Sequence, residues 1–552
     1  MKPAAGAGRR RREVREDTSD RPSSKGRREG PDTMGKKGRR RPSREGREHR
    51  RALSETKERE VTAVRSILPL LAKDLWPGAR QIQKKWTVWL GPTNSGKTHE
   101  ALLRLKKTGG SYLAPLRLLA QEVHERFESE GVPTSLHTGE ERIHRPDAVH
   151  VSATVEMGST SRDAGCVVID EIQMLADRER GHAWVRALLG TPAEEILMCG
   201  APQSEGAIRR LGEYAGVPVE VHRTVRKTPL TISSGPIPLG EVPDGSIVVA
   251  FSRMDVLDLA RLFRDRGRPV STIYGAMPPE LRRAESRRFR SGEATVMLAT
   301  DAVGMGLNIP AEYVIFSTAT KFDGREERLL TPDEVLQIGG RAGRFGLHPE
   351  GIVAGMDRQT HALVRRQFDG IPPPISGPFP FMPDFPIVQS AAAVLATDNL
   401  EILLSRLHAS ILTDAHLRSG IGPEVRQRAA RVEQTCPGLP LDERWLLLFA
   451  PVNRTTEMLF WRWAATVGRI GGTGEIPVVK CPSAGEIFGR KDGEESLARL
   501  SLYRWLSLRF PHRFPEYDVA VGRYLRVLEE TRVILEREGR GRRRRKGRAS
   551  AE

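Results

Sequence analysis

Between Thr87 and Thr98 the chain reads TVWLGPTNSGKT, and no other stretch constrains its fold as tightly. Val88, Trp89 and Leu90 form an apolar, β-prone run suited to a buried strand. Gly91, Pro92, Thr93, Asn94, Ser95 and Gly96 follow, and Lys97 and Thr98 then head a helical pattern from His99 to Lys107. The spacing is GxxxxGK[ST], with a strand before it and a helix after it. Glycines let successive backbone N–H groups turn towards phosphates, the lysine neutralises β/γ charge, and the threonine hydroxyl faces Mg²⁺. Gly91 through Thr98 are therefore the expected phosphate cradle. A strand, a tight loop and a helix in that order commit the chain to an α/β layout.

From Trp86 onward, short apolar strands alternate with helices, the pattern of a parallel sheet. Strands are expected at Ser111–Ala114, Val149–Ser152, Val167–Asp170 and Ile196–Cys199, with charged connections such as Leu116–Glu130 as crossover helices. A second αβ series begins near Gly245. Its strands are Ile247–Phe251, Val270–Tyr274, Val296–Thr300 and Tyr313–Ser317, separated by helices near Asp255–Arg266 and Pro279–Arg290. The Pro-rich run Ile371–Pro386 cannot be regular helix, and from about Val388 to Glu538 the chain turns largely helical. Upstream, Val61, Val64, Ile67, Leu68 and Leu71 mark one face of a helical lead-in. The expected layout is a basic arm at 1–55, the lead-in at 56–82, αβ domains at 83–226 and 227–358, a mainly helical domain at 359–539 and a basic tail at 540–552.

The formal charge of +18 is concentrated at the ends. Residues 1–50 hold 18 Lys/Arg against 8 Asp/Glu (+10), and residues 540–548 hold 7 basic residues and no acidic ones (+7), so the body carries about +1. Arms of that composition read as disordered and bind polyanions without sequence preference. Cys166, Cys199, Cys436 and Cys481 lie far apart with no C-x₂-C pair, so no zinc site is expected and a reducing compartment fits. No run of about 18 apolar residues exists, so no membrane partner is expected. The N-terminus is Arg-rich like a transit peptide but also carries Glu and Asp. Cytoplasm is the default expectation, with the mitochondrial matrix as the alternative.

Two further segments carry chemistry. Val167, Val168 and Ile169 lead into Asp170–Glu171, which places two carboxylates at the carboxyl end of a strand beside the phosphate loop. Asp170 would hold Mg²⁺, and Glu171 would orient and deprotonate an attacking water. In the second series, Gln337-Ile-Gly-Gly-Arg341-Ala-Gly-Arg344 sets two arginines on a Gly-rich turn after a helix, where both can face one point. Arginine is suited to stabilising charge on a transferring phosphoryl group.

In order along the chain stand GPTNSGKT, YLAPLRLLAQEV (112–123), GVPTSLHTGEE (131–141), VSATVEM (151–157), VVIDEIQML (167–175), MCGAP (198–202), IYGAMPP (273–279), ATDAVGMGLN (299–308) and QIGGRAGRFG (337–346). Together they resemble superfamily-two DExH-type RNA helicases, and among these the mitochondrial degradosome helicase family and its bacterial relatives. The resemblance covers about 60–540, and LSLYRWLSLRFPHRF (500–514) resembles the family's short C-terminal helical signature. It implies two tandem RecA-like domains followed by a helical C-terminal domain. Lys97, Thr98, Asp170 and Glu171 would bind and hydrolyse Mg-ATP, Arg341 and Arg344 would be arginine fingers from across the cleft, and Gln337 would touch the nucleotide or the attacking water. Gln173 would link hydrolysis to RNA, and the loop of Gly304 and Gly306 would meet both nucleotide and RNA.

Pro115, Arg117, Thr138, Gly139, Thr154, Ser252, Arg253 and Thr300 would contact the RNA backbone. Small hydroxyls and Gly-rich loops at strand ends suit phosphates, which position a strand without reading it. The resemblance further implies 3′→5′ movement, a role in RNA turnover and a docking face for an exoribonuclease. The chain departs from the wider DExH pattern in three places: no glutamine-bearing adenine motif precedes the phosphate loop, MCGAP replaces Ser-Ala-Thr, and Ile338 stands where many DExH proteins have arginine. DNA as substrate, or an RNA-binding scaffold without turnover, remain open as alternatives. A nucleoside kinase, whose loop GP-x-x-SGKT also resembles, is opposed by the length of the chain, its cysteines and the second αβ domain.

Overall fold

The computed structural model describes residues 44–68, 76–161, 164–275, 277–304, 309, 311–343, 346–411, 413–468, 475–478 and 487–540. The chain divides into two units, Met1–Glu55 and Thr56–Glu552, and both large sheets belong to the second. The lead-in helix runs Arg44–Ile67, so the arm expected to stay disordered to residue 55 is helical from Arg44. Arg, Glu, Lys and Ala are good helix formers, and pairs such as Arg51–Glu55 (3.0 Å, four residues apart) support a helix with little apolar surface. Of the expected apolar face, Val64 is buried and Ile67 is exposed, while Leu71 lies outside the described residues.

The first sheet comprises β1 (Lys85–Leu90), β2 (Gly110–Ala114), β3 (Thr134–His137), β4 (Arg142–Ile143), β5 (His150–Thr154), β6 (Ala164–Ile169), β7 (Ala193–Gly200) and β8 (Val219–Arg223). Their order is β4-β3-β5-β2-β6-β7-β1-β8, and the pairings are parallel except for β4 on β3. Both faces are covered. Trp86, Val88, Val167 and Ile169 pack with Leu188 and Ile208 on one side, while Cys166 and Val168 pack with Leu102, Leu105, Val123 and Phe127 on the other. Burial on both faces is why these strands read as continuous apolar runs instead of alternating ones.

The second sheet comprises β9 (Leu230–Ile232), β10 (Ser246–Val249), β11 (Val270–Ile273), β12 (Val296–Ala299), β13 (Tyr313–Phe316) and, after a hairpin of β14 (Thr320–Phe322) and β15 (Glu327–Leu329), β16 (Gly351–Gly355). It is parallel, in the order β11-β12-β10-β13-β16-β9. The lobe's own helices pack on both faces. One face, through Val248, Val296 and Leu298, also shares a core with Leu497, Leu500, Tyr503 and Trp505 of the C-terminal helix Arg490–Ser507. The helical domain is therefore built onto the second lobe. Within the Pro-rich run, β17 (Phe379–Phe381) pairs with β18 (Leu417–Ser419), and a helix starts at Phe385. Pro386 sits in that helix's first turn, where its missing N–H leaves no bond unmade, so the break ends just before it.

Several expected strands end one or two residues earlier than their apolar runs: Asp170, Phe251, Tyr274, Thr300 and Ser317 have already left the ladder. These carboxyl ends are where the site loops begin.

Candidate active site

The phosphate loop follows β1 and the acidic pair follows β6. A single strand, β7, lies between them in the sheet, so the two ends are roughly 10 Å apart at the usual strand spacing. The loop's conformation follows from its residue types. Gly96 and Asn94 adopt positive φ (87° and 62°), and a Cβ on Gly91 would collide with Thr224 Oγ1. Lys97 and Thr98 open the helix Lys97–Thr108. The Lys97 ammonium donates to Pro92 O at 3.1 Å, and the Thr98 hydroxyl donates to Asp170 Oδ1 at 3.3 Å.

Asp170 is buried, 5% exposed. The Tyr112 hydroxyl donates to its Oδ2 at 2.9 Å, and the Glu171 N–H donates to its Oδ1 at 2.9 Å. Burial, with the neighbouring Glu171 charge, pushes the Asp170 carboxyl above its ordinary range. A buried carboxylate and a hydroxyl facing each other beside a lysine form a hard-oxygen set of the kind Mg²⁺ accepts, so these residues fit the metal the motif implies. Glu171 sits at φ 51°, a left-handed conformation that a non-glycine residue adopts at some cost. The turn is held from both sides: Trp184 Nε1 donates to Asp170 O at 2.9 Å, and the Gln173 amide donates to the Glu171 carboxylate. Gln173 Oε1 also accepts from Ala201 N at 3.1 Å, joining the acidic turn to the MCGAP segment. A Cβ on Gly200 would strike Ile172, so the glycine is what allows that close approach.

The second lobe completes the site. Thr331 and Glu334 form a reciprocal cap that starts the helix Pro332–Gly339. Against burial, which pushes it up, Arg328 and Lys321 hold the Glu334 carboxyl down at about 2. The turn after that helix delivers Arg341 into a cavity of about 290 Å³ lined also by Thr93 to His99, Tyr112, Glu122, Asp170 and Glu171. Arg341 donates to the carbonyl of Gly304. Burial lowers its pKa from the ordinary value, opposed by the charges of Glu171 and Asp170. Gly340 packs so closely on Thr93 that a Cβ there would overlap its hydroxyl, and Asn94 Nδ2 donates to Gly343 O at 2.6 Å.

Arg344 and Gly306 lie outside the described residues. Gln337 is half-buried on its helix and is not among the residues lining the cavity, and Gly304 serves as an acceptor for Arg341.

The expected RNA-contact residues are engaged within the protein. Arg117 pairs with Glu140 (2.6 Å) and reaches Glu280 of the second lobe (3.8 Å), and Arg253 pairs with Glu494 (2.8 Å). Ser252 caps the helix Arg253–Asp265 through Asp255 N, and Thr300 Oγ1 accepts from Ala302 N at 3.3 Å. Pro115 O accepts from Arg180 at 2.6 Å, and Gly139 O accepts from Arg509, in the turn after the helix Arg490–Ser507, at 2.8 Å. Thr138, Thr300 and Thr154 are 0, 6 and 7% exposed, which leaves little of them for a strand in this arrangement. Sequence reasoning passed over Thr224, Arg226 and Lys227 between the lobes. Thr224 Oγ1 donates to Ser95 Oγ at 2.9 Å, and Arg226 reaches both lobes. No motif marks that run, and two adjacent cations were its sole signal.

A phosphate loop and acidic pair from one parallel sheet, met by an arginine from a second, define a two-lobed NTPase of the superfamily-two helicase class. Two domain families match: the DEXQ-box helicase domain of Suv3 over residues 72–224 and the helicase conserved C-terminal domain over 238–346. The mitochondrial DExH-box ATP-dependent RNA helicase DExH16 of Arabidopsis thaliana is 34% identical over 462 residues, covering 81% of this chain and 80% of that protein. DExH18 from the same plant is also 34% identical over 462 residues, covering 80% of this chain and 58% of its own length. Among solved structures, the Escherichia coli DEAH/RHA helicase HrpB is similar at TM-score 0.46 and 17% identity, covering 85% of this chain and 60% of that one. The chain belongs to the Suv3-type family of DExH-box ATP-dependent RNA helicases, whose DEXQ box is Asp170-Glu171-Ile172-Gln173 here. It is an NTP-hydrolysing enzyme.

Proposed function

We propose that the chain couples Mg-ATP hydrolysis to 3′→5′ movement along single-stranded RNA and to strand separation, in RNA turnover. The observation that carries this reading is that Arg341 of the second lobe lines the same cavity as Lys97, Asp170 and Glu171 of the first. Hydrolysis then requires both lobes. Lys97 neutralises the phosphates, Glu171 accepts a proton from the attacking water, and Arg341 faces the charge that builds on the transferring group. Thr98 and Asp170 would hold Mg²⁺, which supplies further neutralisation of phosphate charge when bound. RNA lying across the lobes favours their closure, so turnover depends on the strand, and opening afterwards permits a step.

The RNA candidates enter this scheme only if Arg117 and Arg253 exchange their carboxylate partners for phosphates. The relatives' names as mitochondrial proteins favour the matrix over the cytoplasm. The C-terminal helical domain offers a docking face for an exoribonuclease. Displacement of RNA duplexes with 3′ or 5′ tails, with Mg-ATP, tests the reading. Displacement from 3′-tailed duplexes is expected; unwinding from 5′ tails alone, or an equal preference for DNA, overturns the polarity or the substrate.

A further inference from the structure

We infer that Arg226 is a positioning residue: it latches the phosphate loop of the first lobe to the arginine-bearing turn of the second. This rests on the composite nucleotide site proposed above and adds a residue that no motif marks.

The segment Thr224–Lys227 leaves the edge strand β8 and lies along the phosphate loop. Thr224 N donates to Leu90 O at 2.8 Å, Thr224 Oγ1 donates to Ser95 Oγ, and Lys227 N donates to Asn94 O at 3.1 Å. Lys227 leans over the same loop, since a Cβ on Gly96 would stand 3.1 Å from its Nζ. Backbone and side-chain bonds thus fix the segment to the first lobe. Arg226 reaches from this segment to the other lobe. One terminal nitrogen donates to Thr93 O (2.9 Å) in the phosphate loop and to Gly340 O (2.8 Å) in the second lobe. The other terminal nitrogen donates to Ala342 O, and Nε donates to Thr228 O at 2.7 Å. Gly340 and Ala342 flank Arg341, so the guanidinium holds the backbone on either side of the residue that faces the acidic pair.

Chemistry favours arginine here. The partners are carbonyls, whose directions a planar fork can match and an ammonium cannot. Burial, together with the nearby Arg341 charge, brings the Arg226 guanidinium down to about 10. The two like charges are tolerated because four carbonyl dipoles face Arg226 and the Glu171 and Asp170 charges face Arg341. Set between the sheets, Arg226 can transmit a change at the phosphate loop to the aim of Arg341 without touching a substrate.

The test compares wild type, Arg226→Ala and Arg226→Lys by three measurements: amide hydrogen exchange without nucleotide, ADP affinity, and RNA-stimulated hydrolysis. Lysine keeps the charge and the aliphatic stem, so it remains informative if the alanine variant fails to fold. For either variant, exchange is expected to rise together in 91–98 and 338–343, leaving the far edge of each sheet unchanged. ADP affinity should stay within about threefold while RNA-stimulated turnover falls at least about tenfold. Three results would overturn the inference: exchange rising in 91–98 alone, ADP affinity falling as far as turnover, or Arg226→Lys behaving as wild type. If wild-type turnover itself ignores RNA, the proposed function fails while the exchange result still judges the latch.

Discussion

The nucleotide cleft and the proposed strand face answer to different constraints. In the cleft, Lys97, Thr98, Asp170, Glu171 and Arg341 come from two sheets and converge on one cavity, each held by backbone geometry or by a neighbour that orients it. On the strand face, Arg117, Thr138, Ser252, Arg253 and Thr300 each have a partner that explains them without RNA. Convergence on a shared point is a signature of chemistry. A capped helix or a satisfied turn at a strand end is what any α/β fold needs. Substitutions can break or sharpen this contrast, because the cleft should lose turnover while keeping stability and the strand face should do the reverse.

The largest effect is expected for Glu171→Gln, which keeps the size of the side chain but removes the proton acceptor. RNA-stimulated phosphate release should fall by about 10³-fold with an unchanged melting temperature. Turnover near wild type would remove Glu171 from the chemistry.

Arg117→Ala comes next. It leaves Glu140 buried without its cation, at a cost of about 3 kcal/mol in unfolding free energy, readable by denaturant titration. The slope of RNA affinity against salt should stay as it was. A shallower slope with no loss of stability would return Arg117 to the RNA interface.

The smallest effect is Ser252→Ala, which removes the cap on the helix Arg253–Asp265 and lowers stability by about 1 kcal/mol. RNA affinity should not move. A drop in affinity larger than the drop in stability would make Ser252 a strand contact.

How far each region could be read from sequence follows from the same contrast. The phosphate loop was legible because its spacing dictates its backbone: positive φ at Gly96 and no room for a Cβ at Gly91. The long central strands were legible because burial on both faces makes them continuously apolar. Strands β3 (TSLH) and β8 (VEVHR) were missed because they are short and partly polar, and the neighbours they pair with define them. Arg344 was expected as a second finger, and its place lies outside the described residues. Arg226 was invisible for another reason. It acts through carbonyls, and carbonyls leave no mark in a sequence, so a residue that grips backbone in two lobes looks like any surface cation. The helix from Arg44 has little apolar pattern to read, because charged residues of good helix propensity build most of it.

The central claim is that the charge-quenching group comes from the second lobe and that RNA brings it to bear. Single-turnover hydrolysis by wild type and Arg341→Ala, with and without saturating single-stranded RNA, tests it most directly. The account predicts that wild type is accelerated by RNA, whereas the variant, still binding nucleotide within about threefold, hydrolyses it about 10³-fold more slowly and no longer responds to the strand. A variant that hydrolyses at the wild-type rate and still quickens with RNA would contradict it.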